Sequence, residues 1–330
     1  MNKDYIKKIV RASGVASGEL ILIHFWGEDS EKMIANEFLS AVASLGATPV
    51  LLQQARSVNR DIFMNATDTC FGEKYFSMFS SFDAVLDVFA YQPVVLGYDI
   101  PAEKFNRYRQ YMAQLFPALM ETKRFTQVRI PTKENAAESD LEPVDFIRRM
   151  ENAYDIDYDA LLTSCNEVKE KMECHKQIVL HSGDNCNLFF DLTDRIWHVD
   201  AGDGDLPCGE IYIAPNEDKT NGTVFFQRLF IEDVGEFSEV TLFVEDGKVV
   251  HSSDKEVNAF FQQLSPEDNI LCELGLGMNP NVTDLCGYTV LDEKMANSFH
   301  IAIGANNMYG GSNTASIHMD FVGTGNFEIM

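Results

Sequence analysis

The first half of the chain alternates short apolar runs with amphipathic stretches, and this alternation limits the possible folds more than any other feature. The apolar runs, each predicted to be a strand, are 19–26, 48–53, 82–90 and 125–131. Two segments between these runs are predicted to be helices. The segment 30–46 begins with a serine and ends with a glycine, as a capped helix does, and 101–120 begins with a proline. Strands separated by helices pair in parallel, because each helix returns the chain to the same end of the sheet. The sequence therefore predicts an open, largely parallel α/β sheet.

The second half has a different pattern, in which short strand-like segments are divided by glycine, asparagine and aspartate turns. Only 253–264 and 292–299 interrupt these segments with helical patterns. Such a pattern predicts an α+β domain whose strands are mostly antiparallel. We therefore predict two domains, an α/β domain over residues 1–175 and an α+β domain over residues 176–330.

The balance of charged residues excludes several classes of partner. The 330-residue chain has a formal net charge of −25, whereas proteins that bind nucleic acids or anionic membrane surfaces present basic patches.

The chain contains no apolar run of about 18 residues that could span a bilayer, and its charged N-terminus is unlike a signal peptide. The seven cysteines are never spaced as C-x-x-C and indicate reduced thiols. The sequence therefore predicts a cytoplasmic protein with no nucleic-acid or membrane partner.

Histidines and carboxylates near strand ends of the second half form a candidate metal site. His318 and Asp320 are two residues apart, so on a strand their side chains point to the same face. Glu273 lies among apolar and glycine residues, where a buried carboxylate needs a cation or complete hydrogen bonding. Glu210 and His300 lie in similar strand-and-turn settings. Carboxylates and imidazoles are suitable ligands for zinc, manganese, iron or cobalt.

Two other residues have structural interpretations. His24 lies in the middle of an apolar strand and is predicted to be a hydrogen-bonded core histidine. Cys272 adjoins Glu273 but is predicted to be a buried core cysteine, because free cysteine is among the most buried residue types.

Four segments of the second half, in this order, resemble the thermophilic-type aminopeptidases of metallopeptidase family M29. The segments are LPCGEIYIAP (206–215), CELGLGMNP (272–280), LDEKMANSFHIAIG (291–304) and SIHMDF (316–321). The family's own motifs contain Pro-x-x-Glu, Glu-x-Gly-x-Gly, Asp-Glu-Lys and Ile-His-x-Asp in the same order. The α/β pattern of the first half is compatible with the family's N-terminal domain.

The resemblance implies a two-metal aminopeptidase that removes N-terminal residues from peptides and forms a homodimer. Its first domain would wall the active-site cleft and its second would carry two divalent ions, zinc, cobalt, manganese or magnesium. The residues that match the family's metal ligands are Glu210, Glu273, His300, His318 and Asp320. Glu273, shared between the ions, and Tyr309, whose hydroxyl would stabilise the oxyanion, are the predicted catalytic residues. Glu293 and Lys294 are predicted to position a loop.

The sequence departs from the family's pattern around the predicted ligands. Gly209 stands where the family usually has a glutamate, and 297–299 replaces a glycine-containing pair before His300. The segment from His300 to His318 is shorter than the family's, and Tyr309 lies nine residues after His300 instead of seven. The ligands are retained, but the loop that faces the substrate differs.

Two alternatives remain open. A relative of this fold is an Fe(II) dioxygenase that cleaves dihydroxypyridine rings, and His300, His318 and Asp320 could form the two-histidine, one-carboxylate triad that binds iron. Retention of both Glu210 and Glu273 favours the hydrolase, since a mononuclear iron site would not need them. The chain could also be a degenerate relative that binds a partner without catalysis.

Overall fold

The chain forms two compact units. The computed structural model describes residues 1–93, 100–139, 141–324 and 327–329. The units are Met1–Asp155 with Gly202–Pro207, and Ile156–Ala201 with Cys208–Met330. This division falls earlier in the chain than the predicted domain boundary at residue 175, and the domain assignment remains a prediction.

The helices occur mainly in the first half of the chain. They are α1 (Lys3–Ala12), α2 (Lys32–Ser44), α3 (Arg56–Asn65), α4 (Glu73–Ser77), α5 (Ala102–Met120), α6 (Lys133–Glu138), α7 (Pro143–Tyr154), α8 (Tyr158–Met172), α9 (Lys255–Gln263) and α10 (Thr289–Asp292). Two single-turn 3₁₀ helices are Asp29–Glu31 and Met78–Ser81. Across the described ranges, none of the helices has both the length and the apolar character needed to cross a bilayer.

The first unit is built around a parallel sheet of five strands in the order β2-β1-β3-β4-β8. The strands are β1 (Leu20–Trp26), β2 (Thr48–Gln54), β3 (Ala84–Phe89), β4 (Phe125–Arg129) and β8 (Asp205–Leu206). All four strands predicted from the sequence are present and the predicted α/β sheet is confirmed. The central strands β1 and β3 are buried on both faces, as strands between two layers of helices must be. The two-residue β8 is too short for any periodicity to reveal it.

A buried polar group lies at the centre of this sheet. Nδ1 of His24 is 2.7 Å from Oδ1 of Asp87, and Nε1 of Trp26 donates to the same oxygen at 2.9 Å. Nε2 of His24 lies 3.1 Å from Nε2 of Gln54. Since a buried imidazole is tolerated when it is hydrogen-bonded, His24 is the structural core histidine that the sequence predicts.

The second unit contains two antiparallel sheets. The six-stranded sheet has the order β12-β11-β10-β6-β5-β16, and the five-stranded sheet has the order β15-β14-β13-β9-β7. Their strands are β5 (Gln177–Ser182), β6 (Asn187–Asp191), β7 (His198–Asp200), β9 (Glu210–Ile213), β10 (Asn221–Ile231), β11 (Gly235–Glu245), β12 (Lys248–Ser252), β13 (Leu271–Gly277), β14 (Phe299–Gly304), β15 (His318–Gly323) and β16 (Phe327–Ile329). The sheets contact each other where Phe226 packs on Phe299, with ring centroids 5.7 Å apart.

One predicted helix of the second half is wrong. The segment 292–299 was predicted to be helical, but α10 ends at Asp292. After it, the backbone carbonyl of Lys294 accepts a hydrogen bond from the amide of Asn279. Asn297 adopts a positive φ of 63°, which interrupts a right-handed helix. The segment is therefore held by β-like contacts with the chain after β13, and its Lys294 contacts Glu210.

Candidate metal centre

One sheet positions all five predicted ligands. Glu210 begins β9, Glu273 lies in β13, His300 lies in β14, and His318 and Asp320 lie in β15. In the five-stranded sheet, β13 lies between β9 and β14, and β15 pairs with the other edge of β14. Residues distant in sequence therefore meet on neighbouring strands of the second unit.

A β-bulge in β13 changes the direction of the side chains next to Glu273. The pairing of β13 with β14 shifts between Leu271 and Glu273, so Cys272 is the extra residue. Regular alternation would place Cys272 and Glu273 on opposite faces. Instead, the buried Sγ of Cys272 lies 3.7 Å from Nδ1 of His318. Cys272 is buried, as predicted, but it also borders the candidate site.

His300 occupies space that Gly275 leaves free. The two residues are opposite each other on β14 and β13, and a Cβ on Gly275 would lie 1.9 Å from Nε2 of His300. No other residue could occupy this position without moving the ring. The absence of a side chain allows the imidazole to cross β13 and approach Glu273.

Glu273, His300 and Asp320 form a compact group of potential ligands. One ligand atom from each residue lies within 4.8 Å of the other two, and Nε2 of His300 is 3.2 Å from Oε1 of Glu273. His300 and Glu273 are buried, and Asp320 is half-buried. Ligands at about 2.1 Å from a tetrahedral ion lie about 3.4 Å from one another, so small side-chain movements would close this group around a divalent cation.

His318 extends the group on the side of Asp320. Its Nε2 lies 3.7 Å from Oε2 of Glu273 and 3.5 Å from Oδ2 of Asp320. Its Nδ1 lies 2.9 Å from the carbonyl oxygen of Ala305, to which it donates. This hydrogen bond keeps Nε2 directed at the carboxylates, an arrangement typical of metal-binding histidines. Nδ1 of His300, in contrast, is buried with no hydrogen-bond partner within the described part of the chain.

Glu210 lies on the other side of His300 and is shared with a lysine. Its Oε2 is 3.5 Å from Nε2 of His300, while its Oε1 accepts from Nζ of Lys294 at 2.5 Å. Lys294 is also 2.7 Å from Oε1 of Glu293, and only 1% of Lys294 is exposed. Lysine is almost never buried to this extent unless it is paired.

Tyr309 lies beside His318. Its hydroxyl is 3.5 Å from Nδ1 of His318 and 3.9 Å from Sγ of Cys272. The rings of Tyr212 and His198 contact the Tyr309 ring edge-on, with centroids 5.5 and 6.4 Å away. The predicted role of the hydroxyl in stabilising an oxyanion remains a prediction.

The loop over residues 305–317, which carries the tyrosine, is fixed by Glu217. Oε1 of Glu217 accepts from the backbone amide of Ser312 at 2.5 Å and from Nδ2 of Asn306 at 3.2 Å. Its Oε2 accepts from Nη2 of Arg195 at 2.6 Å. One carboxylate therefore ties both halves of the loop to the body of the second unit.

Sequence reasoning missed Glu217, Asn306 and Arg195. Arg195 donates to Oε2 of Glu217 and to the loop carbonyl of Gly310, and Asn306 is fully buried. None of the three is part of the four motifs. The only available signal was the asparagine- and glycine-rich composition of the loop, which indicates many backbone groups that need partners.

The histidines hold protons while no metal is bound. Burial acts to lower the pKa of His300, but the hydrogen bond to Glu273 and the charge of Glu210 raise that pKa to about 9. Burial also opposes protonation of His318, but the negative charge of Asp320 raises its pKa above the usual value. Protons therefore balance part of the negative charge of the site.

The two buried glutamates differ in pKa. Burial alone would raise the pKa of Glu273, but the hydrogen bond from His300 and the charge of His318 lower the pKa below its usual value. Burial raises the pKa of Glu210 to about 8, although the ammonium of Lys294 opposes that rise. The carboxylate of Glu273 is therefore the better ligand at neutral pH.

This donor set fits a divalent metal. Two imidazoles and three carboxylates converge from adjacent strands, and three of these groups, Glu210, Glu273 and His300, are buried. Such buried charges are normally tolerated only when they are paired or bind a metal. The thiol of Cys272 lies beside His318 and is outside the group of three ligands.

Comparison with known proteins identifies the relatives of the chain. The family model of the thermophilic metalloproteases (M29) matches residues 5–330. A search of curated proteins gives no match. Similar solved structures include wild-type AmpT from Thermus thermophilus, with a TM-score of 0.72 and 18% identity over 99% of this chain and 94% of that one.

A second similar structure is 2,5-dihydroxypyridine dioxygenase from Pseudomonas putida KT2440. It has a TM-score of 0.64 and 14% identity, over 99% of this chain and 92% of that one. At these identities both likenesses show the fold alone, because one fold can carry unrelated chemistries.

Proposed function

The chain belongs to the thermophilic metalloprotease family M29, and on this basis we propose that it is an aminopeptidase that removes N-terminal residues from peptides with two divalent metal ions. Membership of the family makes it a metal-dependent peptidase; the exopeptidase specificity and the number of ions are our proposal. The observation that carries it is the convergence of Glu210, Glu273, His300, His318 and Asp320 on one sheet.

The residues divide into two groups around Glu273. Oε1 of Glu273 lies toward His300, which is also near Glu210. Oε2 of Glu273 lies toward His318, which is also near Asp320. One carboxylate therefore belongs to both groups, as a ligand shared between two zinc, cobalt, manganese or magnesium ions would. When bound, such ions lower the pKa of a water nucleophile and polarise the scissile carbonyl.

Tyr309 is the proposed oxyanion donor. Burial, and then the negative charge of Glu273, raise the pKa of its hydroxyl above the usual value, so it keeps its proton at neutral pH. A neutral hydroxyl in a fixed position can donate a hydrogen bond to the oxygen that becomes negative when the carbonyl is attacked. The negatively charged carboxylates of the centre favour a substrate whose charged group nearest to the reacting carbonyl is a free amine, because a protonated amine is positively charged.

The geometry of the site does not favour an iron dioxygenase as a second function. His300, His318 and Asp320 are near one another, but Glu210 and Glu273 lie within 3.5 Å of His300 as well. A mononuclear site with three ligands leaves these two buried carboxylates without a role. The homodimer and the cytoplasmic location expected from the sequence remain predictions.

Hydrolysis of amino-acid p-nitroanilides tests the proposed function. After loading with cobalt, zinc or manganese, we expect the protein to cleave substrates with a free amine and to leave their N-acetylated forms intact. Glu273→Gln should abolish hydrolysis. The control is Glu236→Gln, which breaks the exposed ion pair between Glu236 and Arg228 in the same unit and should leave hydrolysis unchanged. Equal cleavage of acetylated substrates would contradict the aminopeptidase, and oxygen uptake with dihydroxypyridine would support the iron enzyme.

A further inference from the structure

Lys294 is a buried cation within the candidate centre. Its ammonium contacts Oε1 of Glu210 at 2.5 Å and Oε1 of Glu293 at 2.7 Å. In the other part, formed by Glu273, His318 and Asp320, the carboxylates pair with imidazoles, and no lysine contacts them among the described residues. Within that described part of the chain, the ammonium therefore belongs to the half of the centre around Glu210.

The backbone holds Lys294 in place. Its amide donates to the carbonyl of Leu291, and its carbonyl accepts from the amide of Asn279 at 2.8 Å. Gly277 packs so closely on this segment that a Cβ there would lie 2.0 Å from the carbonyl oxygen of Met295. The side chain is 1% exposed, so the ammonium cannot move into solvent without rearranging the segment.

Glu210 can consequently offer only part of its charge to a metal. Its Oε1 is engaged by Lys294, and its Oε2 faces Nε2 of His300. A metal ion at Glu210 would bind a carboxylate whose charge Lys294 already neutralises in part. The buried ammonium would also repel the metal ion, and water would screen that repulsion only weakly. Both oxygens of Glu273 are directed at imidazoles, and no described lysine contacts them.

We infer that Lys294 sets the affinity of the second metal ion, so that the protein holds one divalent cation tightly and the cation at Glu210 weakly. This inference rests on the proposed two-metal function. The side chain acts as a positioning and charge-balancing residue that makes the two cation sites unequal. Activity would then vary with the concentration of free metal because only the occupancy of the weak site changes.

Calorimetric titration of the chelator-stripped protein with Co²⁺ or Zn²⁺ tests the inference. The wild-type chain should show two classes of site. In Lys294→Met, the weak class should bind at least tenfold more tightly while the strong class is unchanged, because Glu210 and Glu293 lose their internal cation. A purely structural lysine predicts the reverse, since a damaged site binds metal less well. The visible absorption of bound Co²⁺ gives a second readout that is independent of activity.

Glu293→Gln is the matched variant and should act in the opposite direction. Removing the charge of Glu293 strengthens the pairing of the ammonium with Glu210, so the weak class should bind at least threefold more weakly. If Lys294→Met does not fold, the titration of Glu293→Gln tests the inference by itself. An unchanged or tighter weak class in Glu293→Gln, or a weakened one in Lys294→Met, would overturn the inference and leave the peptidase intact. A single class that binds two equivalents of metal would also overturn the inference, whereas a single class that binds one equivalent would instead contradict the two-metal function.

Discussion

At the scale of single residues, Gly275 determines where His300 can lie. Because a Cβ at this position would be 1.9 Å from the imidazole, we predict that Gly275→Ala displaces the ring and lowers metal affinity by roughly 10- to 100-fold, the range seen when a ligand loses its support. Dialysis against a metal-ion buffer measures this affinity. Gly72→Ala is the control, since nothing lies within 4 Å of the added Cβ. Equal metal affinity in the two variants would show that His300 is not a ligand.

The protonation of the site predicts that metal binding releases protons. Since the pKa of His300 is raised to about 9 and that of Glu210 to about 8, both groups carry a proton at neutral pH while no metal is bound. A ligand must lose that proton, so affinity should rise with pH up to about 9 and fall at lower pH. Calorimetry at pH 7 in buffers of different ionisation enthalpy counts the protons. A binding enthalpy that is independent of the buffer would contradict this prediction.

Residue identities could be predicted from the sequence only where a motif carried them. The chemistry and the order of the motifs predict five ligands, and the structure brings them near one another: Glu210, Glu273, His300, His318 and Asp320. The contact of Cys272 with His318 could not be predicted, because it depends on a bulge that inverts the alternation of β13.

At the scale of secondary-structure elements, the loop over 305–317 is held by Glu217. We predict that Glu217→Gln frees this loop and lowers kcat/KM by about 10-fold, a loss within the roughly 1–3 kcal/mol expected when a charged hydrogen bond is removed. Metal affinity should stay unchanged, because Glu217 contacts the loop and Arg195 rather than the ligands. The control is Glu236→Gln, which breaks an exposed glutamate–arginine pair. A parallel loss of bound metal would mean that the loop supports the ligands directly.

Elements with strong periodicity could be predicted, and elements fixed by distant contacts could not. Each of β1, β2 and α5 differs from the segment predicted for it by one residue, at one end only. The segment 292–299 has helical residue types, yet it forms contacts with the chain after β13 instead. Tertiary contacts override local propensity there, and that segment delivers Lys294 to the site.

At the scale of the whole molecule, the group of converging carboxylates, which protons and Lys294 balance only in part, predicts that metal stabilises the fold. A cation that binds only the folded state at 100 times its dissociation constant adds about 2.7 kcal/mol. For a 330-residue chain that unfolds as one unit, this corresponds to an increase of about 4 °C in unfolding temperature. Thermal unfolding with and without Co²⁺ measures the shift, and Asp320→Asn should show a smaller one. A shift of the same size in Asp320→Asn would place the stabilising ion elsewhere.

The most direct measurement of the proposed centre is an anomalous-scattering map of crystals grown with Co²⁺. We expect one strong peak within about 2.0–2.3 Å of side-chain atoms of Glu273, His318 and Asp320. We expect a second, weaker peak beside Glu210. Cobalt bound only at surface carboxylates, with these five side chains left uncoordinated, would contradict a metal centre on this sheet.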